Sequence, residues 1–208
     1  MMIKWLGHLR TITKHRHQVI RNGFHCGIFL HCLKHDLSKM SPTEFFNSAK
    51  NYNGHHSPVY EERKTNDGFS YICQHHTRRN KHHWEYWTDF FMGRIVVHTM
   101  PWVYATEYVC DMLSASKTYD PKNFGPSTAL DYFLARVDRY FMTEATKLYV
   151  TWCLTRYRDL GFKGLRKKDT KAKYAEIVAA NPKVEFIDSL PEHVDLPPFA
   201  LNSPHKRM

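Results

Sequence analysis

The sequence lacks the long apolar run that a membrane-spanning helix requires, because none of its uninterrupted apolar stretches approaches the roughly 20 residues needed. The first residues contain no apolar block followed by a small-residue cleavage site, so no secretory signal is visible and we expect a cytoplasmic protein without a membrane partner. The 5 cysteines are scattered and include no Cys-x-x-Cys pair. This argues against both a disulfide framework and a thiolate zinc site.

The charge balance is basic, since 30 lysines and arginines face 20 aspartates and glutamates, giving a formal net charge of +10 over 208 residues. Such a balance favours acidic partners, such as phosphate esters or nucleic acid. The histidines are unevenly distributed: 13 of the 15 lie at or before His98, and none lies between His98 and His193. This segregation predicts a functional site in the first half of the chain.

Helical spacing of apolar residues dominates the chain, and we find neither convincing β alternation nor an internal repeat. The pattern therefore predicts an all-α protein, with a helical domain over residues 1–160 and a basic segment with a proline-containing extension over 161–208. Residues 51–67 are predicted to form a surface loop that exposes His55 and His56, and the chain from Asn181 to be extended. The predicted helices cover about residues 12–22, 25–34, 69–79, 81–91, 101–116, 128–158 and 171–180.

The stretch Cys32–Phe46 predicts a helix, a short polar turn and a second helix. Ser41-Pro42-Thr43-Glu44 places serine at the N-cap, proline at the first helical position and glutamate at the third, which is a capping box. The pair His35-Asp36 is thereby held at the turn between the two helices.

Side chains that bind metals recur at separate points of these helices. His15 begins an HxxxV pattern, His35-Asp36 follows 20 residues later, and Asp111 lies on a later helix with Glu107 one turn before it. Imidazole and carboxylate groups suit Mn, Fe, Zn or Mg. Asp111 lies in an apolar setting in which an unpaired carboxylate is costly, which favours metal ligation. These residues predict a metal site in which helices converge.

Two further features of the sequence leave alternatives open. A rotation of the first helix would present His17 instead of His15. The stretch His75–Trp87, HHTRRNKHHWEYW, would align His75 with His82 and His76 with His83 if it were helical. These histidines can supply extra ligands or phosphate donors, and the neighbouring arginines and lysine can hold an anionic group.

The sequence resembles a family of small, largely uncharacterised bacterial and phage proteins. Its motifs HxxxV, HDLSK(F/Y)SPxEF, HHxxRNKHHxEYW and MPxxYxxExxCD stand here at His15–Val19, His35–Phe45, His75–Trp87 and Met100–Asp111, with Met40 in place of an aromatic residue. His15, His35, Asp36 and Asp111 also resemble the ligand set of histidine-aspartate, or HD-domain, phosphohydrolases. That second resemblance implies an HD-domain-like helical bundle.

The resemblance implies a metal-dependent hydrolase that acts on a phosphate ester or nucleotide through one or two divalent ions. His76 and His83 are the favoured additional ligands, and Glu107 or Glu44 is a candidate base. Residues expected to contact the substrate are Lys39, Arg79, Asn80, Lys81 and His82. Two alternatives remain, namely an iron-dependent oxidative enzyme on the same fold and a non-catalytic basic module that binds nucleic acid.

Overall fold

The structure, a computed structural model, describes residues 2–187, and most of these residues are helical. They form nine α-helices and one antiparallel sheet of three strands. The helices are α1 (Met2–His25), α2 (Phe29–Cys32), α3 (Pro42–Asn51), α4 (Pro58–Thr65), α5 (Tyr71–Thr77), α6 (Trp102–Tyr119), α7 (Thr128–Leu134), α8 (Glu144–Leu160) and α9 (Lys167–Ala180). The strands are β1 (Thr88–Phe91), β2 (Arg94–His98) and β3 (Val184–Ile187), and short 3-10 helices cover Leu37–Met40, Trp84–Trp87, Val137–Arg139 and Gly161–Leu165.

Helix α1 spans 24 residues and buries one face against α6, α2 and α3. The buried positions recur at spacings of three and four residues, as an amphipathic helix requires. They are His8, Ile12, His15 and Val19, and Gly23, which has no side chain, continues the series. Two of these four buried side chains are imidazoles, so α1 carries polar groups into the interior as well as apolar ones.

The hydrophobic core lies between α1, α2, α6, α7, α8 and α9. Tyr149 and Phe133 are among its largest fully buried side chains. Its buried members come from residues 19–32 and 100–177, and within the described chain none comes from residues 33–99. Trp84 and Trp87 only pack against its edge. The segment that carries α3, α4 and α5 therefore takes almost no part in the main core.

Two of the predicted helices are interrupted in the structure. Gly27 has φ +72°, a left-handed conformation, so α1 ends at His25 and α2 begins only at Phe29. The predicted helix over 128–158 is divided into α7 and α8. There the backbone is extended at Thr143, whose side chain accepts a hydrogen bond from the backbone N–H of Thr146 and caps α8.

The expectation of an all-α fold needs correction at the aromatic stretch. After the 3-10 helix at Trp84–Trp87 the chain forms the hairpin β1–β2, which turns at Met92 and Gly93, both with positive φ. Such a pair of residues makes the turn that suits the twist of a two-stranded hairpin. Strand β3 pairs with β2, so the fold is mainly α with a small sheet.

Residues 161–187 pack directly on the preceding chain. Leu165 and Ile177 are buried in the hydrophobic core, and β3 completes the sheet. Helix α4 lies within the segment predicted to be a loop, while His55 and His56 are exposed as expected. The extended tail predicted from Asn181 lies, beyond Ile187, outside the described residues. Within residues 2–187 none of the helices is both long enough and apolar enough to span a bilayer.

Candidate metal centre

Seven histidine and aspartate side chains meet between α1, α5, α6 and the turn that follows α2. Helix α1 supplies the first, the turn supplies an adjacent pair, α5 and the segment after it supply three, and α6 supplies the last. They are His15, His35, Asp36, His76, His82, His83 and Asp111. The side chains expected as metal ligands from the sequence are thus brought together, and His82 joins them.

The turn at His35-Asp36 has a specific local cause. Asp36 adopts a left-handed conformation, φ 53° and ψ 25°, which aspartate tolerates better than most residues. The 3-10 helix after it ends at Ser41, whose Oγ accepts a hydrogen bond from the N–H of Glu44 at 3.3 Å. The Glu44 side chain contacts two histidines, His75 and His76, instead of returning to the serine. Only half of the predicted capping box is therefore formed.

The first group of candidate ligands contains His15, His35 and Asp111, together with one oxygen of Asp36. His15 Nε2 lies 2.9 Å from Asp111 Oδ1 and 3.4 Å from His35 Nε2. Asp36 Oδ2 lies 3.2 Å from His35 Nε2 and 3.7 Å from His15 Nε2. Ligands placed tetrahedrally at about 2.1 Å from one ion would be about 3.4 Å apart. The spacing of these four atoms therefore fits a single metal ion.

The second group faces the other oxygen of Asp36. Asp36 Oδ1 lies 3.2 Å from His76 Nε2 and 3.4 Å from His82 Nε2, and His83 belongs to the same group. Asp36 Oδ1 and the Nε2 atoms of His76, His82 and His83 are buried, and apart from the ion pair between Asp36 Oδ1 and His76 Nε2 they have no polar partner within hydrogen-bond geometry. Buried polar atoms without partners are rare because each costs about 1–3 kcal/mol. A group of this composition fits a second metal ion.

Two buried glutamates hold the histidine rings by their other nitrogen. Glu107 accepts hydrogen bonds from His35 Nδ1 at 2.9 Å and from His31 Nε2 at 2.7 Å. Glu44 accepts from His76 Nδ1 at 2.9 Å and from His75 Nδ1 at 2.6 Å. A carboxylate on one ring nitrogen fixes the tautomer and leaves the other nitrogen free to bind a metal. Both glutamates were expected as bases, but their contacts favour an orienting role.

The electrostatics divide the histidines into two kinds. Burial alone would lower the pKa of His35, but Asp36 and Glu107 raise it to about 10. His76 has a raised pKa for the same reason, through Asp36 and Glu44. Burial instead lowers the pKa of His82 well below its usual value and that of His83 to about 3. Without a metal, protons on His35 and His76 would balance the buried carboxylates, and a metal would displace them.

A cavity of about 250 Å³ adjoins both groups. Its walls include His15, His76, His83 and Asp111 from the centre, together with Lys39 and Tyr119. His8 also lines it: the ring is buried between Phe45 and Tyr52, and neither nitrogen has a hydrogen-bond partner. Burial, followed by the charge of Lys39, lowers the pKa of His8 to about 4. The cavity thus adjoins residues of both candidate ligand groups.

The residues expected to contact a substrate fall into different places. Lys39 lines the cavity and donates to Asp36 Oδ2 at 2.5 Å. Asn80 is buried and donates to Ser38 Oγ at 2.8 Å, so it supports the turn after the His-Asp pair. Arg79 and Lys81 are exposed. Arg79 donates a hydrogen bond to the His75 carbonyl, and the Lys81 ammonium lies over the rings of Tyr86 and Tyr104. The structure does not bring Arg79 or Lys81 to the centre.

The sequence analysis did not correctly place several histidines in and around the candidate metal centre. His82 was expected at the substrate, but its buried Nε2 lies with the ligand atoms. His17, the alternative to His15, is exposed. His8 could have been found from its position seven residues before His15, on the same helical face. His31 carried no comparable signal, and His75 was considered only as an extra ligand or phosphate donor, because the roles of both depend on where two glutamates lie in space.

No curated protein and no solved structure matches the chain. A family model described as "Family of unknown function (DUF5662)" matches residues 4–151. The matched span contains all seven residues of the two candidate ligand groups as well as Glu44 and Glu107. The chain therefore belongs to DUF5662, a family of unknown function.

Proposed function

We propose that the protein is a metal-dependent phosphohydrolase with a binuclear centre on an HD-domain-like helical fold. The observation that carries the proposal is the position of Asp36, whose Oδ2 faces the ligands His15 and His35 and whose Oδ1 faces His76 and His82. A carboxylate shared in this way would let Asp36 contribute to two neighbouring ions, the arrangement used by two-metal phosphatases and nucleases.

The donor set indicates which ions would fit. Five imidazoles and two aspartates favour Mn, Fe or Zn, whereas Mg prefers oxygen ligands and retains water. Ions bound there would lower the pKa of a coordinated water and polarise a phosphoryl oxygen. The buried glutamates Glu44 and Glu107 would keep the Nε2 atoms aimed at the ions throughout.

The protein itself supplies a cation for the substrate. Lys39 is held beside Asp36 and lines the cavity, so its ammonium can neutralise a phosphate that binds next to the centre. Asp111 and Asp36 reinforce the positive charge of Lys39, since they raise its pKa although burial opposes this. Lys39 would remain charged throughout the physiological pH range.

The test is hydrolysis of p-nitrophenyl phosphate and bis(p-nitrophenyl) phosphate by protein loaded separately with Mn, Fe or Zn. We expect turnover by the wild type, background rates for Asp36→Asn, and a higher KM for Lys39→Met because the phosphate loses its cation. His55→Ala, altered at an exposed histidine, is the matched control and should retain the wild-type rate. A wild type that holds two ions and hydrolyses neither these esters nor nucleotides would contradict the proposal.

An iron-dependent oxidative enzyme is the second candidate, because a centre with five imidazoles is also a set of donors that iron accepts. Two observations separate the candidates. The oxidative enzyme should purify with iron, show an optical band that changes on exposure to air, and consume dioxygen with its substrate. The hydrolase should be equally active under anaerobic conditions.

A further inference from the structure

We infer that the exposed side of α1 forms a basic groove that binds a single strand of nucleic acid and leads it to the metal centre. The chemistry at the end of the groove rests on the proposed function, while binding within the groove does not. The inference begins with the sequence of α1, whose 24 residues include no aspartate or glutamate. Opposite its buried face the helix exposes Arg10, Lys14, His17 and Arg21.

These four residues follow one line along the helix, at spacings of four, three and four residues. At a rise of 1.5 Å per residue the line is about 16 Å long, enough to accompany several phosphates of an extended strand. Neighbouring segments extend it: Lys117 on α6 lies alongside, and Lys163 and Arg166 continue beyond the end of α1. We use the name α1 groove for the surface that is lined by Arg10, Lys14, Arg21, Lys117, Lys163 and Arg166.

The α1 groove is shallow, open to solvent and continuous. Three surface depressions follow each other along it: the first and second share Arg21 and Lys117, and the second and third share His25 and Phe162. No aspartate or glutamate lines any of the three. Within residues 2–187 the six cations of the groove form no salt bridge. In a chain with 20 acidic residues, an ordinary solvated surface would mix the two signs.

Aromatic rings lie among these charges. Phe124, Tyr157 and Phe162 line the middle of the groove, and the exposed ring of His25 stacks on Phe162 with centroids 4.7 Å apart. A positive groove with flat rings is the usual means of binding a single strand without sequence preference. A membrane-binding helix would present a continuous apolar face to the lipid, whereas α1 buries Ile12 and Val19 in the protein and exposes Trp5, Leu6, Leu9 and Phe24 only near its two ends.

The groove also reaches the metal centre. A further depression is lined by Arg10, Lys14 and Tyr119, and Tyr119 is one of the walls of the cavity at the ligand groups. That cavity, at about 250 Å³, is smaller than the roughly 300–1,000 Å³ of ordinary small-molecule pockets. Because of this small volume only the end of a strand would enter the cavity, and the rest of the strand would lie along the α1 groove.

The experiment measures, by anisotropy, binding of a fluorescein-labelled single-stranded 20-mer to the metal-loaded protein, with a phosphorothioate backbone in the 20-mer so that hydrolysis is slow. If about five phosphates are neutralised, the slope of log affinity against log salt should be about −3.5, so raising salt fourfold should weaken binding about 100-fold. The double variant Lys14→Ala/Arg21→Ala should bind at least 10-fold more weakly and reduce the slope by about 1.4. Its circular dichroism melt should match that of the wild type, because both side chains are exposed.

The matched control is Lys64→Ala/Lys183→Ala, which removes two exposed cations outside the groove lining and should bind as the wild type does. The inference is overturned if the wild type does not bind, or if the control loses as much affinity as the groove variant. It is also overturned if vesicles containing phosphatidylserine bind the groove more tightly than the oligonucleotide does.

Hydrolysis of bis(p-nitrophenyl) phosphate separates this inference from the proposed function. The groove variant should retain wild-type hydrolysis, since neither Lys14 nor Arg21 touches the centre. Hydrolysis without oligonucleotide binding would reject the groove alone. Binding without hydrolysis of any ester would uphold the groove and reject the phosphohydrolase.

Discussion

Replacing Asp36 by asparagine should remove both metal ions at once. Asparagine has the same shape and also tolerates the left-handed conformation at this position, so the backbone need not change. It removes the negative charge that both ligand groups share, through Oδ2 in one and Oδ1 in the other. We expect two equivalents of metal in the wild type and close to none in Asp36→Asn, measured by elemental analysis of protein purified without chelator.

Two further variants make the test specific to a bridged pair. His15→Gln alters only the first group and His83→Gln only the second, so each should retain about one equivalent. An ion present at 100 times its dissociation constant stabilises the fold by about 2.7 kcal/mol, and two such ions by about 5 kcal/mol. For a chain of this size each kcal/mol corresponds to about 2–4 °C in Tm. Chelator should thus lower the wild-type Tm by about 10–20 °C and leave that of Asp36→Asn unchanged.

The outcome that would refute the reasoning is retention of metal by Asp36→Asn. If that variant held two ions, the two groups would bind independently of the shared carboxylate. A wild type without metal that is also insensitive to added Mn, Fe or Zn would show that the partnerless ligand atoms have another explanation.

Three other changes have expected outcomes. His8→Leu should reduce the loss of stability between pH 6.5 and 4, because the unfolded chain binds a proton on His8 over this range and the folded chain does not. The resulting difference in the free energy of unfolding is at most about 3 kcal/mol, and urea titration with His55→Leu as the control would measure it. Glu44→Gln should weaken metal binding 10–100-fold because it loosens two imidazoles; an unchanged affinity in competition with a chromogenic chelator would count against the orienting role. Gly164→Ala should destabilise the fold by about 1–3 kcal/mol, because the new Cβ would lie 2.6 Å from a backbone carbonyl of α8, whereas Gly125→Ala meets no atom closer than 3.8 Å and should leave the melting temperature within about 2 °C of wild type.

The local parts of the metal centre could be predicted from the sequence. Ser41 and Pro42 define the start of α3 wherever that helix packs, because a cap depends only on adjacent residues. The pair His35-Asp36 could be placed at a turn for the same reason. The grouping of His15 with Asp111 required the resemblance to a known ligand set, since nothing local relates residues so far apart in the chain.

Other parts depend on contacts that no local pattern contains. The sheet was missed because its strands are stabilised by pairing, β1 with β2 and β2 with β3. Strand β3 begins at Val184, 86 residues after β2 ends at His98. His82 was assigned to the substrate because a helical row would align it with His75 and Arg79, apart from His76 and His83. The segment after Asn80 forms a turn and a short 3-10 helix, and His82 and His83 both lie beside Asp36.

Residues 33–99 contribute no buried side chain to the main hydrophobic core, and this affects how firmly α3, α4 and α5 are attached to the rest of the protein. Helices α3, α4 and α5 contribute few buried apolar side chains, such as Ala49 and Ile72, and these lie outside that core. Helix α3 packs on α1 through aromatic rings, Trp5 with Phe46 and His8 with Phe45, and the histidines and carboxylates of the centre add a second connection to α1 and α6. A bound metal pair would act as a cross-link that docks this segment onto an already folded scaffold. Its removal should raise amide exchange in α3–α5 well before exchange in α6 and α8 changes.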